Sequence, residues 1–160
     1  MLGVTFPQTV ISPVPSTVTY SLVDDLYCSR DEMEAVFGPV NVAKWADLDD
    51  DEDPDKITAR INWAISWAAN EINDFMRGGF YVIPLMNVNK EVPLSIVNVA
   101  ATLAGVWLYE RRGVEDFDPE SGNVSHRLAW HKNTAYQLLA EIKRGTRKIE
   151  ATQQSVKYPQ

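Results

Sequence analysis

Apolar residues recur at intervals of three and four through the middle of the chain: Ile57, Ile61, Ala64, Ile65, Ala68, Ile72, Phe75 and Met76. That spacing predicts a helix over residues 54–77 with one core-facing stripe. Asp53 suits its N-cap, Pro54 its first position, and Asp55 the positive end of its dipole. Trp63 and Trp67 stand off the stripe, on the far face, four residues apart. They predict a second burial partner, either another layer of the same domain or a neighbouring subunit.

Other elements follow from similar signals. "SRDEMEAVFG" carries a capping box, Ser29 with Glu32, and an apolar face of Met33, Val36 and Phe37 before Gly38 and Pro39. A second short helical turn is expected over 40–45. "PLSIVNVAATLAGVWLYERRG" starts at Pro93, ends at Gly113 and is apolar almost all round, as expected of the central helix of a bundle. Its only weakly apolar face, Ser95, Asn98, Thr102, Gly105 and Tyr109, is small and polar enough to permit close helix approach. A last helix within 125–145 presents Leu128, His131, Ala135, Leu138, Leu139 and Ile142, with Lys143 and Arg144 at its negative end.

Between the third and fourth helices lies "GGFYVIPL". Two glycines stop a helix, and Phe80, Tyr81, Val82, Ile83, Pro84 and Leu85 form a strand-like apolar loop in which Pro84 forbids a central strand. Residues 1–28, with Pro7, Pro13 and Pro15, and residues 145–160 are expected to be extended arms. The expected fold is therefore all-α: a helical core over 29–144 with four to five helices, an extended apolar loop and two terminal arms.

Composition narrows the function. The chain has 160 residues, 45% of them hydrophobic, enough for one domain with a real core. No stretch is apolar enough to span a membrane, and the N-terminus lacks the pattern of a signal peptide. A single cysteine, Cys28, allows no internal disulfide and suits a reducing compartment. The net charge of −7 argues against general affinity for nucleic acid. The charge is uneven: residues 24–76 hold 14 acids and 4 bases, and residues 127–160 hold 2 acids and 7 bases. Two electrically different surfaces are expected.

Enzyme signatures are absent: there is no P-loop, G-x-G-x-x-G, G-x-S-x-G, H-E-x-x-H or CxxC. No catalytic residue, cofactor or metal is expected. The acidic run "DLDDDEDPDKI" fails as a calcium loop, since Glu52 stands where glycine is needed and Thr58 where glutamate is needed. His126 and His131 are five apart, the wrong spacing for a helical zinc pair.

A compact helical core with two arms, an apolar loop and a spare aromatic face is the anatomy of an assembly component. From about Tyr27 to Arg112 the ordered set "SRDEMEAVFG", "DEDPDKITARINWAISWAANEIN", "GGFYVIPL" and "VPLSIVNVAATLAGVWLYERR" resembles the small head–tail connector (adaptor) proteins of tailed bacteriophages, the helical family of Mu-like and lambdoid phages. It departs from that pattern in "RGGFYVIPL", where an arginine–tyrosine pair would precede the loop, and in the length of its N-terminal arm. The resemblance implies a structural virion protein of the neck, made in the host cytoplasm. It would form a homo-oligomeric ring, typically twelvefold, beneath the portal, extend the channel for double-stranded DNA, and dock the next neck or tail protein. It implies portal contacts in the C-terminal segment, for which Arg147, Lys148, Ile149, Val156, Lys157 and Tyr158 are candidates. The apolar loop, Phe80 to Leu85, would dock on a neighbouring subunit or neck protein, its main chain pairing with an extended segment there. Asp49, Asp50, Asp51 and Glu52 are candidates to face the channel. The alternatives are a helical regulatory or DNA-binding module, which would need a basic recognition helix, and another neck protein such as a stopper or tail-completion protein, which would be richer in β-structure.

Overall fold

A computed structural model describes residues 26–113 and 128–154. The candidates Val156, Lys157 and Tyr158, and most of the proline-containing N-terminal arm, lie outside the described residues. The described chain is all-α, with α1 Arg30–Phe37, α2 Pro39–Ala46, α3 Pro54–Met76, α4 Leu94–Arg111 and α5 Ala129–Lys143. Among these residues there is no strand, only an isolated antiparallel bridge between Tyr81 and Gln153.

Local chemistry sets most boundaries. Glu32 accepts from the Ser29 backbone N–H and hydroxyl at the head of α1. These bonds hold its carboxyl below the usual range. Asp53 caps α3 by accepting from the N–H groups of Asp55 and Lys56. The expected turn over 40–45 is a full helix, because Pro39 supplies a pre-set first position and Gly38 (φ +84°) lets the chain turn sharply between α1 and α2. Pro93 stands at the N-cap of α4 rather than at its first position.

α4 is the axis of the bundle and touches every other helix. Ten of its residues are buried, which is why its sequence shows no polar side. α1 lies against it at Gly105, where an added Cβ would sit 2.2 Å from the Phe37 ring. The small-residue face thus serves two neighbours: Gly105 admits α1, while Ser95, Asn98 and Thr102 line a groove beside α5. α3 runs antiparallel to α4, since Arg112 just past the end of α4 reaches Asp50 ahead of α3. α5 runs antiparallel to α4 as well. Lys132 bonds Glu110 at 2.7 Å near one end, and Tyr136 donates to Glu71 of α3 at 2.7 Å. Burial, then the Glu71 bond, raises the Tyr136 phenol above its ordinary pKa.

The core begins before α1. Tyr27 and Cys28, assigned from the sequence to the arm, are buried. Tyr27 donates to Asn73 Oδ1 of α3 and accepts from the Leu85 N–H at 2.9 Å. One phenol thus ties the incoming chain, α3 and the apolar loop together.

Candidate interaction surfaces

The loop after α3 is built by glycine and by contact with α5. Gly78 takes the left-handed conformation (φ +70°) that ends α3. Gly79 passes so close to α5 that an added Cβ would meet Lys143 Cγ at 2.8 Å. Phe80 then donates its N–H to the Lys143 carbonyl at 3.0 Å. From there the side chains divide. Tyr81 and Leu85 are fully buried, Val82 is exposed, and Phe80, Ile83 and Pro84 are half-buried. The Ile83–Pro84 peptide is cis.

The main-chain edge of this loop is occupied by the same chain. Val82 N–H donates to Thr152 O at 2.8 Å, Thr152 N–H to Met86 O at 2.9 Å, and Gln154 N–H to Phe80 O at 3.0 Å. Ile149 N–H donates to the Tyr81 hydroxyl at 2.9 Å. The pairing expected with a neighbour's segment is therefore made in cis. Residues 146–154, expected to have no local fold, are held by it. Tyr81 and Leu85 are withdrawn from the list of side chains a partner can reach, and the half-buried Ile149 packs against the core. The periodicity of six residues could not show this, because loop and arm are some seventy positions apart and only the folded chain brings them together.

What the arm leaves outward is mainly basic, with Glu150 its one exposed acid and Arg147 3.7 Å from the Glu141 carboxylate. Arg147 and Lys148 are exposed. Lys148 Nζ sits 4.1 Å over the Phe80 ring, and Lys143 Nζ 5.5 Å from the Phe75 ring. With Arg144, and with Arg77 paired to Asp74 at 3.0 Å, they form the more basic end of the bundle.

The opposite end is acidic and stapled. Asp49 accepts from Arg60 at 2.7 Å, Asp50 from Arg112 at 2.6 Å, and Asp51 from Lys56. Arg60 also donates to Ala46 O, and Arg112 to Lys44 O and Asp47 O, so both guanidiniums cap the negative end of α2. The Arg60 bond holds the Asp49 carboxyl below its ordinary pKa, and the Lys56 bond does so for Asp51. Three of the four acids assigned to a channel surface thus have cationic partners in their own chain, and all four are exposed. Nothing local in the sequence assigns Arg60 or Arg112 to this cap. The signal that could have found them is the need of a helix ending at Ala46 for cations at its last carbonyls.

The two tryptophans of α3 part company. Trp67 is half-buried against Trp107 of α4, with ring centroids 6.0 Å apart. Trp63 is 67% exposed. Around it Leu48, Arg60, Trp107, Leu108 and Arg111 enclose a hollow of about 400 Å³, and the Arg111 guanidinium lies 4.9 Å over the Trp107 ring.

Burial, with a smaller contribution from Glu32, pushes the Cys28 thiol up to about 12, far from a nucleophilic thiolate. Among the described residues no group of three or more potential ligands could hold a metal ion. No helix there is long and apolar enough to cross a membrane.

The described residues thus form a helical bundle with an acidic loop at one end, a more basic cluster at the other, an exposed aromatic patch and a main-chain-paired arm. A sequence model described as Bacteriophage Mu, Gp36 matches residues 27–160, and the chain belongs to that family. It is therefore a bacteriophage protein with a role in phage structure or morphogenesis. No curated protein and no solved structure matches the chain.

Proposed function

We propose that the protein is a head–tail connector of the phage neck: a non-catalytic, ring-forming subunit, typically twelve to a ring. It adds beneath the portal, continues the DNA channel and docks the next neck or tail protein. The observation that carries this reading is the opposition of two unlike ends. An acidic loop precedes α3 and a basic cluster follows α3 and α5, separated by a helix of 23 residues, about 34 Å long. A subunit placed between two different partners needs two such faces, and like-charge repulsion disfavours its insertion upside down.

The basic end, Arg147 and Lys148 above all, is the candidate portal contact. It is presented by an arm anchored to the loop rather than by a free tail. The exposed Trp63 patch is the candidate subunit interface, because an exposed tryptophan beside arginines has the composition of an interaction hot spot. The acidic end, with Glu52 unburied and a chain net charge of −7, suits a wall past which DNA slides without sticking.

Native mass spectrometry of the full-length protein, alone and with portal rings of the same phage, tests the reading. A ring-sized species, or stoichiometric addition to the portal that is lost in Arg147→Glu/Lys148→Glu, is the expected result. Charge reversal keeps the main-chain bonds of the arm that hold the loop, which truncating the arm would remove. A strict monomer that ignores the portal refutes the connector and favours a regulatory or binding module.

A further inference from the structure

Both ends of the described chain close on the same loop. From the N-terminal side, the Tyr27 hydroxyl accepts from the Leu85 N–H at 2.9 Å and donates to Asn73 Oδ1 of α3. From the C-terminal side, Thr152 donates to the Met86 carbonyl through its N–H at 2.9 Å and through its hydroxyl at 3.2 Å. Leu85 and Met86 are consecutive, so the two holds grip one dipeptide. Earlier in the loop, the Tyr81 hydroxyl accepts from the Ile149 N–H at 2.9 Å. Tyr81 and Leu85 are fully buried, and Gly79 is pressed against Lys143. Behind Met86, the Asn87 side chain fixes the next turn by accepting from the N–H groups of Asn89 and Glu91 at 2.9 Å each. A segment packed this closely shifts as a unit rather than bending between its contacts.

The two holds differ in how deeply they are set. Tyr27 and Cys28 belong to the core. In the arm, Ile149 and Ala151 are half-buried, while Arg147, Lys148, Glu150 and residues 152–154 are exposed. An exposed segment seated mainly by backbone bonds opens before a packed core does. Seated and unseated arms are the two discrete states that energetic coupling between sites requires.

We propose that the Leu85–Met86 step couples the two ends of the chain. The seated C-terminal arm tightens the hold on Tyr27, and withdrawal of the arm loosens the N-terminal entry into the core. Linkage makes the effect reciprocal, so weakening the hold of Tyr27 also frees the arm. The arm carries Arg147 and Lys148, the candidate portal contacts. Under the connector reading, on which this consequence alone rests, a portal that draws them outward is registered at the N-terminal segment.

Cys28, the only cysteine and the chain neighbour of Tyr27, reports on the entry. The full-length protein is labelled with dithionitrobenzoate under native conditions at fixed pH. Thr152→Pro removes both Thr152 donors to Met86 at an exposed position outside the helices. It is expected to accelerate Cys28 labelling at least about fivefold. In the Tyr27→Phe background, where the link to Leu85 is already gone, the same substitution should change the rate less than about twofold. Tyr27→Phe alone should speed hydrogen exchange at the Thr152 amide. An unchanged labelling rate in Thr152→Pro, equal factors in the two backgrounds, or Thr152 exchange indifferent to Tyr27→Phe overturns the coupling. So does a labelling rate that rises with urea as steeply as global unfolding, since the entry then opens only with the whole bundle. These measurements use the chain alone, so their failure removes the coupling and leaves the connector. A chain that shows the coupling but ignores portal rings keeps the coupling and removes the connector.

Discussion

Tyr27→Phe removes one oxygen atom and leaves the ring, so its effect isolates polar bonds from packing. The ring is 2% exposed, and its hydroxyl donates to Asn73 Oδ1 while accepting from the N–H of Leu85, itself fully buried. No water can replace the oxygen without opening the core, so the Leu85 N–H is left buried and unsatisfied, at a cost of about 1–3 kcal/mol. The half-buried Asn73 recovers part of its loss from solvent, adding about 0.5–1 kcal/mol. The expected destabilisation is therefore about 1.5–4 kcal/mol, against a total of about 5–15 kcal/mol for a domain of this kind. Urea unfolding followed by circular dichroism at 222 nm gives the global value, with the midpoint falling and the slope unchanged. Hydrogen exchange at the Leu85 amide gives the local one and should lose more protection than amides in the centre of α4. A double-mutant cycle with Asn73→Ala should show coupling of at least about 0.5 kcal/mol. A loss below about 0.5 kcal/mol, with Leu85 protection intact, would show that the phenol packs as a mere ring and that the loop is held by the arm alone.

Gly105→Ala should destabilise by about 1–3 kcal/mol despite the better helix propensity of alanine, because its Cβ would meet the Phe37 ring at 2.2 Å. The double variant Phe37→Leu/Gly105→Ala should recover part of that loss in thermal melts, and failure to recover any would place the strain elsewhere. The acidic staple predicts a pH dependence. Asp49 and Asp51 have folded pKa values below their ordinary ones, so their contribution is complete above about pH 4 and is lost as pH falls through the folded values. Asp49→Asn/Asp51→Asn should therefore lose less stability than the unsubstituted chain between about pH 5 and 2, and 1 M salt should shrink the difference. Equal acid sensitivity at low salt would refute the staple.

The helices were readable because their causes are local. Caps such as Ser29 with Glu32 and Asp53 with the N–H groups of Asp55 and Lys56 act over three residues, and the stripe of α3 repeats over a single turn. Burial of that stripe followed the expected positions, with Ile61, Ala64, Ile65, Ala68, Ile72 and Met76 buried. The candidate surfaces were less readable. Trp63 and Trp67 share one helical face, and nothing in α3 says that Trp107 covers one and leaves the other in solvent. α4 is apolar all round, so its periodicity could not say which neighbour meets which side.

What the sequence by itself determined is the all-α class, the positions of the main helices, the glycine-stopped apolar loop and the opposition of acidic and basic segments. Those are properties of neighbouring residues and of composition. Only the tertiary structure decided that the loop buries Tyr81 and Leu85, that residues 152–154 occupy its edge, and that Arg60 and Arg112 cap α2. Each of those joins groups 14 or more positions apart, up to some seventy for the loop and arm. Such contacts depend on how the helices pack, and no local preference encodes which distant donor will meet which acceptor.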